Sequence, residues 1–291
     1  MQVRKKRSPG RLLQGLFLLG HPVPVLFHLV AVALFALLAA WPRPTWSVVL
    51  LVVGAHTAMQ LAIAMVNDYC DRKVDAVGKP EKPIPRGLVT PREALIAGRA
   101  MLALMVVLLL PLSPLAWLLS LLYLVLGMAY NLGLKSTPLS GIVFALAMPL
   151  IPLYAFAGVG HRAPFLLWLL PVGFFLGVAL NLANSLPDLE EDAASGARTL
   201  AVVLGLRRSF LLSTLLLLLG AVLILVLHLT GLLRVQPFVL VITLALTLLL
   251  LIIILLFTGA GKAPQTRKIY FYLVTLACLV LAGGWLIGVL S

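Results

Sequence analysis

The 291-residue sequence predicts an all-α, polytopic membrane protein with nine transmembrane helices. Three observations carry this. Apolar residues make up 62% of the chain and charged ones 11%, whereas a soluble surface needs about a quarter to a third of its residues charged. Windows of about 20 apolar residues, the length that crosses a bilayer as a helix, recur nine times between polar or Pro/Gly breaks. The charges fall almost wholly in the connections between those windows.

Residues 1–22 read as a basic amino-terminal arm and 23–291 as a single transmembrane domain. The arm carries Arg4, Lys5, Lys6, Arg7 and Arg11; the apolar run behind it is too long for a secretory signal and is followed by further spans, so it is expected to be retained. The first window, 23–41, stops at Pro42-Arg43-Pro44, and the second, 46–66, runs into Asn67-Asp68. The third and fourth, 94–110 and 115–131, are parted only by Pro111-Leu-Ser-Pro114, a tight turn whose prolines disfavour one continuous helix, so a helical hairpin is expected. The fifth, 139–159, ends at Gly160, and the sixth, 164–186, ends at Pro187. The last three, 210–229, 238–257 and 269–290, are bounded by Gly231, Pro237 and Lys268.

A net charge of +13 invites a nucleic-acid reading, but the basic residues sit in short loops, where they set membrane orientation instead. With the amino terminus cytoplasmic, nineteen of the 22 Lys and Arg lie on the inner side and only Arg43, Arg162 and Arg234 outside. Cys70 and Cys278 stand far apart, which excludes a disulfide framework or a CxxC metal site.

All nine acidic residues lie in two cytoplasmic segments, after the second and the sixth window: Asp68, Asp71, Asp75, Glu81 and Glu93, then Asp188, Glu190, Glu191 and Asp192. Acids do little to set topology, so orientation does not explain the clustering. If the second helix continues, Asp68, Asp71 and Asp75 follow the three-and-four spacing of one face, and Asn67 stands four residues before Asp71. Asn184, Asp188 and Asp192 repeat the four-residue spacing, with Pro187 a place for a kink or a new segment.

Like charges stacked at a membrane boundary repel and are costly to desolvate, so a cation has to balance them. Oxygen ligands without His or Cys point to Mg²⁺, held by one or two carboxylates and completed by water and phosphate oxygens. Two such clusters suit a diphosphate. Arg72, Lys73, Lys79, Lys82, Arg86 and Arg198 are the nearby cations for the remaining phosphate charge. Glu81 and Glu93 read as loop and helix-start residues, and Arg99 as a snorkelling side chain. His21, His28, His56, His161 and His228 are scattered, so packed or interfacial roles are expected rather than a metal cluster. Tyr130 and Lys135 close the fourth helix on the cytoplasmic side.

These motifs resemble those of the UbiA superfamily of intramembrane prenyltransferases. The first is Asn67, Asp68, Asp71, Asp75, followed by Lys82-Pro-Ile-Pro-Arg86-Gly87; the second is Asp188, Asp192, followed by Gly196, Arg198, Thr199 and Leu200. Tyr130 and Lys135 are five apart where the family often has four, and His21-Pro22 stands where many members have Arg-Pro, so a diphosphate contact there is expected to be lost. The resemblance implies nine helices around a central cavity and Mg²⁺ bound by Asn67, Asp68, Asp71, Asp75, Asp188 and Asp192. It further implies an isoprenyl diphosphate gripped with the help of Arg72, Lys73, Lys82, Arg86, Tyr130, Lys135, Asn184 and Arg198. An allylic carbocation would follow, with Tyr69, Tyr123, Tyr130 or Phe174 as aromatic faces to shelter it.

The function expected is Mg²⁺-dependent transfer of a polyprenyl group to an acceptor, an aromatic quinone precursor first, with the site facing the cytoplasm. The stretch 67–75 also resembles the first motif of chlorophyll synthases, and a glycerol-phosphate acceptor is a further alternative. From another class, a cation transporter could line its path with acids, though carriers place them nearer the bilayer midplane. The DGxxAR signature of CDP-alcohol phosphotransferases is missing.

Overall fold

The computed structural model describes residues 8–161, 164–258 and 263–291; Arg4, Lys5, Lys6, Arg7, Arg162 and Lys262, which enter the orientation argument, lie outside them. The described residues form helices α1 (Pro9–Leu19), α2 (Pro22–Ala40), α3 (Trp46–Gly78), α4 (Pro91–Leu109), α5 (Pro114–Asn131), α6 (Ser140–Gly158), α7 (Leu169–Ser185), α8 (Leu189–Ala194), α9 (Leu200–Leu204), α10 (Leu206–Leu229), α11 (Pro237–Thr258) and α12 (Pro264–Leu290), with 3₁₀ turns at Leu134–Ser136 and Pro164–Trp168. No strand occurs among them. Eight helices are long and apolar enough to cross a membrane. The third predicted window is α4, whose 19 residues include Arg92, Glu93 and Arg99. The break expected at Pro111–Pro114 is present, α5 starting at Pro114 under a Ser113 cap, but α4 packs mainly on α3 and α5 mainly on α6, so the two do not form the expected hairpin.

Two boundaries differ from expectation in ways that matter for the site. α3 runs 33 residues, past Val66 to Gly78, so Asn67, Asp68, Asp71 and Asp75 all lie on one continuous helix. The basic arm is helical from Pro9: Ser8 caps α1, and Gly15 and Leu19 pack on Leu88 and Val89 beyond α3.

Close helix pairs are built from small residues, as expected where lipid gives no hydrophobic drive between helices. At Gly177 a Cβ would stand 2.5 Å from Phe144 O, so α7 can approach α6 this closely only with glycine there. Pro149 and Pro152 sit inside α6, and Gly173 receives the Pro149 ring. Hydroxyls on one helix donate to carbonyls of another: Tyr154 to Val52 O (2.8 Å), Ser113 to Ala157 O (2.8 Å) and Ser213 to Ala179 O (3.0 Å). α2 packs on α3, α6 and α12, so the end of the chain returns to its beginning and closes the bundle. Leu and Val side chains of α10 and α11 face outward, as a lipid-facing surface requires.

Candidate active site

The first acidic segment occupies the last turns of α3. Helical spacing turns Asp68 and Asp75 inward, 1% and 5% exposed, and leaves Asp71 half-buried beside them. Beyond α3 a proline-rich turn folds back, with Arg86 N and Leu88 N donating to Lys82 O and Pro83 O. This turn aims Lys82 at the helix it has just left: its Nζ donates to Asp68 Oδ1 (3.0 Å) and Asp75 Oδ2 (2.8 Å). Burial opposes the Lys82 charge, but Asp68 and Asp75 outweigh it and raise the pKa of the ammonium. His21 Nε2 reaches the same Asp68 Oδ1 at 2.9 Å, from a backbone in the left-handed region (φ 48°) between α1 and α2.

The second acidic segment meets the first. α7 stops at Ser185, Pro187 prevents its continuation, and Asp188 begins the short helix α8. Asn184, Asp188 and Asp192 therefore do not share one continuous helical face: Asn184 stands on α7, Asp192 on α8, and Asp188 caps the break. Lys79 Nζ donates to Asp188 Oδ2 at 2.7 Å and lies 4.0 Å from Glu191. A Cβ on Gly78 would fall 2.2 Å from Glu191 Oε1, so the end of α3 touches α8 directly. Burial of Lys79 lowers its pKa, and Asp188 and Glu191 more than reverse this. Burial, then the charge of Asp188, pushes the Asp192 carboxyl up to about 6.

The 3₁₀ turn after α5 supplies the third side. Lys135 Nζ caps both carboxylate oxygens of Asp71, and Ser136 O accepts from Arg198 N (2.9 Å), joining this turn to the segment after α8. The side-chain amides of Asn67 and Asn131 meet at 2.8 Å, and Asn131 Nδ2 donates to Ile63 O (2.8 Å). Below this polar mouth lie two cavities. One, of about 200 Å³, runs from His21, Asn67, Tyr130 and Asn131 down to His28, Gln60 and Tyr123. The other, about 190 Å³, is lined by apolar groups including Phe27, Phe35, Leu176 and Phe271, with Asn184 at its edge.

The donor set fits a divalent cation. Asp68 Oδ2 is buried without a hydrogen-bond partner, an acceptor that burial leaves costly unless a cation or donor reaches it. Among the described residues no three His, Cys, Asp or Glu side chains close on one point. An ion here would thus be held by few protein oxygens and completed by water and substrate oxygens, the habit of Mg²⁺.

Comparison with known sequences decides the family: residues 28–276 match the model of the UbiA prenyltransferase family. The chain belongs to that family. Its UbiA fold is similar to a solved UbiA homolog from Archaeoglobus fulgidus bound to DMAPP and Mg²⁺, with TM-score 0.72, 20% identity and coverage of 94% of this chain and 98% of that one. It is 38% identical over 147 residues to digeranylgeranylglyceryl phosphate synthase of Natronomonas pharaonis, half of this chain and 52% of that protein. It is 28% identical over 212 residues to 4-hydroxybenzoate octaprenyltransferase of Vibrio vulnificus, 70% of this chain and 72% of that protein. The chain spans about half the length of the first of these relatives.

This UbiA chain gathers Asn67, Asp68, Asp71, Asp75, Lys82, Lys135, Asp188 and Asp192 at one mouth, with Tyr130 and Asn184 on the cavity walls beneath. Four predicted phosphate partners stand apart. Lys73, Arg86 and Arg198 are exposed, and Arg72 folds back to donate to Tyr69 O (2.6 Å), its guanidinium 4.3 Å from the Tyr69 ring. That stacking occupies Tyr69, and Phe174 is 47% exposed beside Phe175, so of the four suggested aromatic faces only Tyr123 and Tyr130 line the cavity. Glu93 closes a capping box with Thr90 at the start of α4, as its position suggested, and both cysteines are free.

Sequence reasoning missed His21 on Asp68, Lys79 as the link between the motifs, and Arg267. Arg267, 3% exposed on α12, donates to Leu186 O (3.1 Å) and to both oxygens of Glu190 (2.6 and 2.7 Å), whose carboxyl is thereby held below its ordinary range. The predicted window 269–290 left Arg267 outside the span; the observed helix starts at Pro264 and takes it in, and an arginine buried there demands a partner.

Proposed function

We propose that this protein transfers a prenyl group from an isoprenyl diphosphate to a lipophilic acceptor within the membrane, with Mg²⁺ as its cation. One observation carries the reading: Lys79, leaving the first acidic segment, holds Asp188 of the second at 2.7 Å, so both carboxylate sets crown one cavity. Asn67, Asp68, Asp71, Asp75, Asp188 and Asp192 would hold the cation, which when bound neutralises diphosphate charge and polarises the carbon–oxygen bond that breaks. Lys79, Lys82 and Lys135, now paired with carboxylates, have ammonium groups to turn to phosphate oxygens. The apolar cavity takes the prenyl tail, where burial gains roughly 0.8 kcal/mol per methylene-sized group, and it keeps water from the allylic cation. Tyr130, near the mouth, offers that cation its ring face.

The acceptor is first an aromatic quinone precursor, a reading supported by the similarity to the Vibrio vulnificus octaprenyltransferase over 72% of its length. A glycerol-phosphate acceptor is the second, favoured by the 38% identity to the Natronomonas pharaonis synthase. The mouth faces the cytoplasm, supported by nineteen of 22 basic residues falling on that side. The test is product formation by purified protein in detergent with an allylic diphosphate, Mg²⁺ and each acceptor. Diphosphate release with neither acceptor, or full activity after Asp68→Ala and Asp188→Ala, defeats the proposal.

A further inference from the structure

The two cavities differ at their inner ends. They share Pro24, His28, Phe144 and Met148, but only the first adds Gln60 and Tyr123 to His28 to make a polar floor. Gln60 lies seven residues before Asn67 on α3, which places the floor about 10 Å below the mouth. Behind it stands His56, 1% exposed, its ring 5.2 Å from that of Tyr123 and 5.8 Å from that of His28. Gln60 Nε2 donates to His56 Nε2 (3.2 Å), and Tyr123 faces the same cavity. This leaves hydrogen-bonding capacity over: His28 Nδ1 and His56 Nδ1 are both buried without partners. So deep in an apolar bundle, unmade hydrogen bonds persist only at a cost, and a ligand that bonds the polar groups of the cavity wall, His28 among them, is selected over one that does not.

We propose that this floor is the specificity site for the acceptor, and that it takes a neutral hydrogen-bonding group, such as a phenol hydroxyl, ester or quinone carbonyl, at the end of the acceptor remote from the reacting carbon. The proposal rests on the prenyl-transfer reading and deepens it. No Lys or Arg lines either cavity among the described residues, so a carboxylate or phosphate at the floor has no cation to meet it. Those groups belong at the mouth, with the lysines. The second cavity, lined mostly by apolar groups with His28, Thr275 and Cys278 as its few polar ones beyond Asn184 at the edge, is left to the prenyl tail.

The test uses methyl 4-hydroxybenzoate and its free acid as neutral and anionic probes, with the purified full chain in detergent. Equilibrium dialysis is expected to show the ester binding at least about tenfold more tightly than the acid, and Gln60→Leu or Tyr123→Phe weakening the ester about ten- to hundredfold. His28→Asn, which keeps a hydrogen-bonding side chain, is expected to lose less than His28→Leu. In turnover, KM for the neutral acceptor rises in Gln60→Leu while KM for the allylic diphosphate stays within about twofold. Equal binding of ester and acid, no ester binding by the parent protein, or unchanged binding in correctly folded Gln60→Leu and Tyr123→Phe overturns the proposal. A parent protein that binds the ester selectively yet transfers no prenyl group supports the site and defeats the prenyl-transfer reading instead.

Discussion

Lys135 and Asp71 lie 64 residues apart, and the ammonium of one caps both carboxylate oxygens of the other, fastening the turn after α5 to the last turns of α3. The residue after Lys135 accepts a hydrogen bond from Arg198, beyond the second acidic segment. A single short turn thus spans the two halves of the mouth. The five-residue spacing from Tyr130 leaves the tyrosine on the cavity wall and the lysine at the rim.

Replacing Lys135 with Met removes the rim cation. KM for the allylic diphosphate is expected to rise about tenfold, the value of one charge-assisted hydrogen bond, with the acceptor's KM unmoved. Steady-state kinetics with each substrate varied in turn gives the answer, and an effect confined to the acceptor contradicts it.

Lys82 bridges Asp68 and Asp75, both nearly inaccessible to solvent. Lys82→Met leaves those carboxylates uncompensated, and the metal-free protein is expected to lose about 3 kcal/mol of stability. Saturating Mg²⁺ restores much of that loss if the cation sits on the same carboxylates. Melting curves in detergent, with EDTA and with Mg²⁺, measure both effects; an equal loss in the two conditions argues against the cation site.

Arg267 lines neither of the two cavities, yet it fixes Leu186 and Glu190 on either side of Asp188. Arg267→Met is expected to lower kcat about a hundredfold by displacing the second motif, since an ångström of misplacement carries that penalty. Glu190→Gln keeps one oxygen acceptor and loses far less. Similar kinetics for Arg267→Met and the parent removes the positioning role.

The carboxyl of Asp192, raised to about 6 by burial and by Asp188, gives a pH dependence of definite sign. Between its ordinary 3.8 and about 6 the folded metal-free chain holds a proton that the unfolded chain has released. This contribution to stability is therefore present at low pH and lost as pH rises through that window. Mg²⁺ competes with the same proton, so apparent Mg²⁺ affinity is expected to fall about tenfold per pH unit below 6. Mg²⁺ titrations of activity at pH 5, 6 and 7 check it, and a midpoint that does not move with pH rejects the assignment.

At Gly177 α7 lies so near α6 that an added Cβ would meet the backbone of Phe144 and Ala145 at 2.5–2.6 Å. Gly177→Ala is expected to cost about 1–3 kcal/mol by forcing the helices apart, and to lower the melting temperature by several degrees. An unchanged melting temperature means the contact is slack.

The membrane class was legible because lipid leaves so few choices: apolar windows with no acids between Glu93 and Asp188 have to be spans. The two acidic motifs were legible for the same reason, since charge at a span's end is costly without a purpose. The partners of those acids were not. Lys73 and Lys82 look alike in sequence, but helical phase points Lys73 outward while a proline-rich turn brings Lys82 back to Asp68. His28 and His56 read as scattered because they belong to different helices, and only the packing of α2 on α3 sets their rings 5.8 Å apart.

Between the two hollows stand the side chains of Phe144 and Met148, one helical turn apart on α6. The partition is a ring and a pliable thioether mounted on a helix whose backbone is pinned by Gly173 and Gly177 opposite. Room on either side can therefore be traded by altering position 148 alone, without disturbing one charge at the rim. Descendants of this chain could drift toward longer tails or bulkier co-substrates through that one residue, leaving the chemistry overhead intact.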